Sequence, residues 1–217
     1  DYYVRFKTKD GESFGEGSWV ETVGWFRDGS AIGQAVNIDE NLNQSTMPVR
    51  LIPNQGVGKI TGFTLDVVEW QGRIAGDDRS NPFPTFNNKK INDIFFFKNR
   101  LGFLTDGSVI FSEADEYYNF FRTTTQTLLD SAPIDVGISH TKISILKYAQ
   151  AFQEKLMLFS SKTQFVLRGG DLLTPKTVNI SPVTDYDVSD SIRPLALNNY
   201  IYFNFKRNNF EGVLEYF

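Results

Sequence analysis

The chain has 217 residues, 22 Lys and Arg against 26 Asp and Glu, a formal net charge of −4, one histidine and no cysteine. These figures exclude a disulfide framework, a thiolate metal site and a cysteine nucleophile, and they leave no basic footprint for nucleic acid. The length suits one large or two small domains with a core that needs no covalent staples. Twenty Phe, nine Tyr and three Trp suit the pleated surfaces of an all-β protein.

In chain order, residues 2–6 (YYVRF) and 18–25 (SWVETVGW) read as strands, joined through the polar, glycine-rich loop KTKDGESFGEG. Residues 37–58 are rich in turn formers with little periodicity, which predicts mostly loop. In residues 62–70 (GFTLDVVEW), Phe63, Leu65 and Val67 alternate with polar neighbours, the pattern of a half-buried strand. GRIAGDDRSNPFPTF, residues 72–86, is expected to be loop because its prolines remove donors and hold the preceding residues extended. No run approaches the roughly 18 apolar residues of a membrane span, and no secretory signal pattern opens the chain. The opening DYYVRF without Met and the strand-like close GVLEYF read as a fragment of a longer protein.

From residue 91 a weak internal repeat emerges. FFKNRLGFLTDGSVIFSEAD from Phe96, AFQEKLMLFSSKTQFVLRGGD from Ala151 and LALNNYIYFNFKRNNFEGVLEY from Leu195 each give a polar turn, an apolar strand, a short turn and another apolar strand. Aligning Leu101, Leu156 and Tyr200 gives spacings of 55 and 44 residues. Periods of roughly 40 to 50 residues built from short antiparallel strands predict propeller blades. The expected fold is therefore all-β and antiparallel, with propeller-like blades forming a partial propeller, long loops and little helix. Residues 1–90 form a hairpin and loop-rich region, and residues 91–217 the repeated blades. A blade lies between two neighbours, which explains continuous apolar runs such as Phe95-Phe96-Phe97. Asp106-Gly107 fits a type I′ hairpin turn. EADEYYNFF fits either a bare loop or one helical turn capped by Ser112 and Asp115. Residues 143–159 carry some helical periodicity, but the repeat favours strand, loop, strand.

Few residues carry catalytic chemistry. GESFG matches the nucleophile-elbow pattern around Ser13, yet Gly15 and Gly17 spoil the helix that must follow, and His140 is the only histidine for a triad. Asp39, Asn41 and Asn43 begin like a calcium loop, but Gln44 and Arg50 stand where Gly and Glu are required. Asp77 with Asp78, Asp115 with Glu116, and Asp185 with Asp187 are carboxylate pairs; only Asp185 and Asp187 have the spacing to share a strand face, and solvated loop charges are the simpler reading. His140 with Lys142 reads as a surface or satisfied polar position rather than an acid–base pair. Lys98 and Arg100 would line a pore, touch phosphate, form ion pairs or cover apolar surface with their stems. Trp19, Trp25 and Trp70 are the aromatic platforms a sugar would need. No catalytic, cofactor-binding or metal-binding residue is assigned, and no enzyme or cofactor is expected.

YYVRF, WVETVGW, TMPVRLI, SNPFPTF, INDIFFFKNRLGFL, YYNFF, APIDV, ILKYAQAFQEKLMLFSSKTQFVL, LTPKTV and YIYF follow one another in this order. Over essentially its whole length the chain resembles the tail tubular protein B, or nozzle protein, family of short-tailed bacteriophages. The resemblance implies a structural virion protein of the phage tail, in which a hexameric ring below the adaptor (tail tubular protein A) ring forms part of the conduit for DNA ejection. Tail fibres attach at that junction, and the family contains a β-propeller. DNA passes without sequence-specific binding, and no membrane insertion by this stretch is implied. KTKDGESFGEG and GRIAGDDRSNPFPTF are candidate ring contacts, with a deletion of residues 77–84 expected to impair ring formation. The competing readings are a carbohydrate-binding or carbohydrate-cleaving β-propeller and a fibre or receptor docking module.

Overall fold

The computed structural model describes residues 1–27, 35–37, 40–139, 145–189 and 191–217. Among them lie seventeen strands, with every strand pair antiparallel, and one 3-10 turn at Gln44–Thr46. This is the expected all-β, antiparallel class with little helix. The chain forms two compact units, residues 1–82 with 121–126 and residues 83–120 with 127–217.

The first unit holds three two-stranded ribbons: β1 (Tyr3–Thr8) with β2 (Gly17–Thr22), β3 (Trp25–Arg27) with β4 (Ala35–Asn37), and β5 (Val49–Gly56) with β6 (Lys59–Val67). The β5 strand corrects the expectation that residues 37–58 are mostly loop. Pro53, Asn54 and Gly56 hide it from a propensity reading, but a ribbon has a free edge on which proline removes no ladder bond. On one face Val49, Leu51 and Pro53 stand opposite Val67, Leu65 and Phe63. On the other, Arg50 Nε donates to Asp66 Oδ2 at 2.8 Å. The apolar row is exposed, so the alternation in β6 marks a ribbon face rather than a half-buried core strand. The strand ends at Val67, and Trp70 is buried beyond it.

The second unit is built from three consecutive meanders. The first sheet has the order β10 (Ile134–Gly137), β9 (Ser108–Phe111), β8 (Arg100–Leu104), β7 (Asp93–Phe97). The second runs β11 (Leu146–Phe152), β12 (Lys155–Ser160), β13 (Gln164–Arg168), β14 (Asn179–Thr184). The third runs β15 (Leu195–Leu197), β16 (Tyr200–Arg207), β17 (Phe210–Tyr216). Residues 143–159 thus resolve as strand, loop, strand in their described part.

Period-two geometry explains why the middle sheet needs apolar residues at successive positions. Leu156 and Leu158 join one core with Phe95, Phe97, Leu104, Val109, Phe111 and Ile134 of the first sheet. Met157 and Phe159, between them in sequence, join a second core with Ile201 and Phe203 of the third sheet. The far face of the first sheet is closed by Phe103 stacked on Phe120 at 5.0 Å, with Phe86 edge-on to both. In two cross-strand pairs a ring lies over a glycine, Phe95 over Gly102 and Phe205 over Gly212, where any Cβ would meet the ring.

Each first hairpin turns in two residues, Lys98-Asn99, Gln153-Glu154 and Asn198-Asn199. Lys98 and Asn99 take φ of 47° and 57°, Gln153 54° and Asn198 52°. The type I′ conformation therefore falls at Lys98-Asn99 and not at Asp106-Gly107, where Gly107 avoids the left-handed region. That turn instead offers the carbonyls of Asp106 and Gly107 to Leu146 N and Ile138 N, both at 2.9 Å. The turns also correct the repeat by one residue: Arg100, Lys155 and Tyr200 each open the second strand, so Ile201, not Tyr200, matches Leu101 and Leu156. EADEYYNFF is a run of turns rather than a helical turn. Asp115 has φ of 64°, and Ser112 Oγ accepts from Leu101 N at 3.1 Å while donating to Glu113 O, leaving no capping box.

Asn99→Gly is expected to stabilise the protein by up to about 1 kcal/mol and Asn99→Val to cost about 1–2 kcal/mol, because only the first eases the left-handed backbone. Gly107→Ala, whose Cβ meets nothing within 4 Å, should shift the denaturation midpoint little; urea titrations of the three variants check this.

Candidate functional site

Among the described residues that sequence places in catalytic patterns, only Asp185 and Asp187 border a common cleft. Ser13 lies in the exposed loop between β1 and β2, and a strand follows it instead of a helix. His140 and Lys142 lie outside the described residues, as does Asp39. Asn43 caps the 3-10 turn, its Oδ1 accepting from Ser45 N at 3.1 Å and Ser45 Oγ at 2.7 Å. Among the described residues no group of three or more His, Cys, Asp or Glu could hold a metal ion, and no helix is long and apolar enough to cross a membrane. Trp19 is exposed and edge-on to Phe6 at 5.4 Å, Trp70 is buried, and the Trp25 side chain lies outside the description.

Asp77 and Asp78 are neighbours with separate structural duties in the first unit. Asp77 is buried, with Oδ1 accepting from Ser80 N (2.9 Å), Arg79 N (3.0 Å) and Ser80 Oγ (2.8 Å), and Oδ2 from Tyr3 OH (2.8 Å). Asp78 Oδ1 receives Arg73 NH2 at 2.8 Å. Asn81, also buried, donates to Ala75 O and Arg122 O and accepts from Arg122 N. The segment expected to be a free ring contact thus carries internal folding bonds. Deleting residues 77–84 would remove these bonds as well, so a lost ring would not identify a contact surface. The β1–β2 loop remains exposed, with Phe14 at 93%.

The strongest polar constellation sits in the second unit at the start of β8. Arg100 is buried, and its guanidinium donates to five carbonyls: NH1 to Ser112 (2.7 Å), Ser131 (3.0 Å) and Ala132 (2.8 Å), NH2 to Asp130 (2.9 Å) and Leu173 (3.1 Å). Burial pushes its pKa down, opposed by the charges of Glu113 and Asp115. Lys98 Nζ donates to Gly170 O at 2.6 Å and Asp171 O at 3.3 Å. Both cations therefore bind the loop of the second sheet that precedes β14. They serve as joints between sheets, the structural side of the reading weighed from sequence, and Lys98 Nζ also lies 6.0 Å from the centre of the Phe97 ring.

A second joint was not visible in sequence. Asp93 on β7 accepts Ala149 N of β11 at 2.9 Å with Oδ2 and Arg193 NH1 at 2.7 Å with Oδ1. Arg193 also lies over the Tyr148 ring at 5.9 Å. One buried carboxylate thus links the first strands of two sheets and the segment that leads into the third. Nothing in the string INDIFFF distinguishes such an aspartate from a strand-end solvent residue.

Glu113 is held by Asn119 Nδ2 (2.7 Å) and Ser131 Oγ (3.3 Å), whereas Asp115 and Glu116 occupy separate turn positions. Asp185 and Asp187 line one cleft, but both follow the end of β14 at Thr184 and Tyr186 between them lines it too, so no shared strand face brings them together.

Arg100→Met should cost roughly 3 kcal/mol or more, since five carbonyls lose their donor; Arg100→Lys should recover only part, lacking the fork. Calorimetric melting temperatures read both. Asp77 is held well below the usual carboxylate range, first by the Ser80 N–H, with the Tyr3 hydroxyl, Ser80 Oγ and the Arg79 N–H adding, against burial. A depressed folded pKa adds stability that is present above the unfolded value of about 3.9 and is lost as pH falls below it. Acid titration of unfolding should show Asp77→Asn with a flatter dependence below about pH 4 than the parent.

A family model described as bacteriophage nozzle protein matches residues 1–217. The tail tubular protein gp12 of Escherichia phage T7 is 36% identical over 216 residues, covering 100% of this chain and 25% of the T7 protein. The chain thus spans about a quarter of the length of that relative. These matches favour a phage tail structural component over a carbohydrate-binding or carbohydrate-cleaving propeller as the role of the chain. The ordered motifs, the stacked antiparallel meanders and the match over every residue lead to one assignment: the chain belongs to the bacteriophage nozzle protein family, whose members are components of the phage tail.

Proposed function

We propose that this chain forms part of the wall of a phage tail tube, in a ring of six copies that stacks on an adaptor ring and borders the attachment of the tail fibres. The observation that carries this reading is the family match along the whole chain, joined to 36% identity with a tail tubular protein. In this reading residues 91–217 supply blades of a β-propeller, residues 1–90 flank or complete it, and the role needs no catalytic residue.

The physics of the chain supports a conduit. Lys and Arg contacts would hold passing DNA through counterion release. A net charge of −4, repeated around a ring, repels phosphate instead. Identical subunits close a ring through heterologous contacts only when each rotation is right, which asks for a stiff subunit. The shared cores between successive sheets and the joints at Arg100 and Asp93 provide that stiffness.

Negative-stain electron microscopy of the full-length protein, alone and mixed with its adaptor, tests the proposal. The expected result is a sixfold ring that stacks coaxially on the adaptor. Monomers that ignore the adaptor would overturn it.

A further inference from the structure

At one end of the second and third sheets, the β12–β13 turn, the segment after β14 and the end of β16 border an open cleft of about 810 Å³, within the roughly 300–1,000 Å³ common for small-ligand sites. Lys162, Asp185, Tyr186, Asp187, Phe205 and Arg207 line it. Asp185 and Asp187, in the segment that follows β14, therefore open on one space.

The lining is mixed in a specific way. Asp185 Oδ1 accepts Thr163 Oγ1 at 2.9 Å, which fixes that carboxylate. Lys206, also at the cleft, turns to Glu211 at 3.3 Å. Among the described residues no carboxylate stands within ion-pair distance of Lys162 or Arg207. Tyr186 lies 6.2 Å from the Phe203 ring and 6.5 Å from the Phe205 ring, yet remains 43% exposed. Donors, acceptors and a flat apolar ring therefore meet in one open groove.

We propose that this cleft binds a saccharide. A sugar's hydroxyl groups both donate and accept, so they use Lys162 and Arg207 as well as the two aspartates. Its C–H face covers the open side of Tyr186, removing apolar surface from water. A phosphate-dense strand would use the cations but face two carboxylates at close range. The step is binding alone, with no bond made or broken, and it does not depend on ring assembly.

The test uses the full-length protein with three fluorescent probes: a glucuronate-containing hexasaccharide, maltohexaose and a 12-nucleotide single-stranded DNA, read by anisotropy. At least one hexasaccharide should bind saturably, and Tyr186→Ala and Asp187→Asn should each weaken it by about tenfold or more. Rings imaged by electron microscopy should be unchanged in both variants. No binding of either hexasaccharide, equal affinity in the parent and both variants, or binding of the DNA probe alone would overturn the proposal. An anionic probe bound in preference to maltohexaose would assign the cations as the selecting groups.

Discussion

The second unit depends on one constraint: the sheet β11–β14 must bury both of its faces. A strand places alternate side chains on opposite sides, so Leu156 and Leu158 fill the core shared with the first sheet while Met157 and Phe159 fill the core shared with the third. Each such burial contributes roughly 1.5–3 kcal/mol. Neither core can be completed by the middle sheet alone, and the position of each sheet follows from its neighbour. The polar joints sit where this stack would otherwise be loose. Asp93 and Arg193 hold first strands together, and Lys98 and Arg100 hold the turn after β7 against a loop of the next sheet.

This division of labour gives several charged residues of this phage tail component a structural duty. Asp77, Asp93, Arg100 and Glu113 are all buried, and a charge in the interior must be matched by hydrogen bonds or by an opposite charge. Each is matched within its own unit, by backbone groups, hydroxyls, amides or a guanidinium. Perturbed ionisation at Asp77 and Arg100 accordingly reports structural networks, which shift pKa values much as active sites do. The cleft at Asp185 and Asp187 differs because these carboxylates lie at an exposed surface, Asp185 with the Thr163 hydroxyl among its partners.

What the sequence disclosed follows the same physics. The Leu156–Phe159 run announced a strand covered on both sides, whereas in the FFF run only Phe95 and Phe97 are buried and Phe96 stands exposed beside Tyr117, so β7 is covered on one face. The repeat was legible to within one residue, and the slip at Tyr200 arose because the third hairpin opens with a half-exposed tyrosine rather than a cation. The β5 strand was hidden by Pro53, Asn54 and Gly56, which signal turns unless the partner strand is known. Asp106-Gly107 drew attention as the hairpin dipeptide, yet Lys98-Asn99 took the left-handed backbone under pressure from pairing Phe97 with Arg100. Arg100 and Asp93 were legible as charges but not as joints, since a buried charge and a surface charge are written with the same letter. Their partners are main-chain atoms, which leave no signature in composition.

The carbonyl cage around Arg100 has a bearing on environmental tolerance. An arginine side chain keeps its proton under any condition a protein survives, and peptide carbonyls do not titrate at all. Among the described residues no carboxylate stands in ion-pair contact with this guanidinium, so acid does not discharge its partners. Buried pairs are also screened far less by salt than exposed ones. The Arg100 fastening, unlike the Asp93–Arg193 joint, thus has no directly bonded group that acid would discharge, a chemical constancy suited to a particle that must persist outside any cell before it acts.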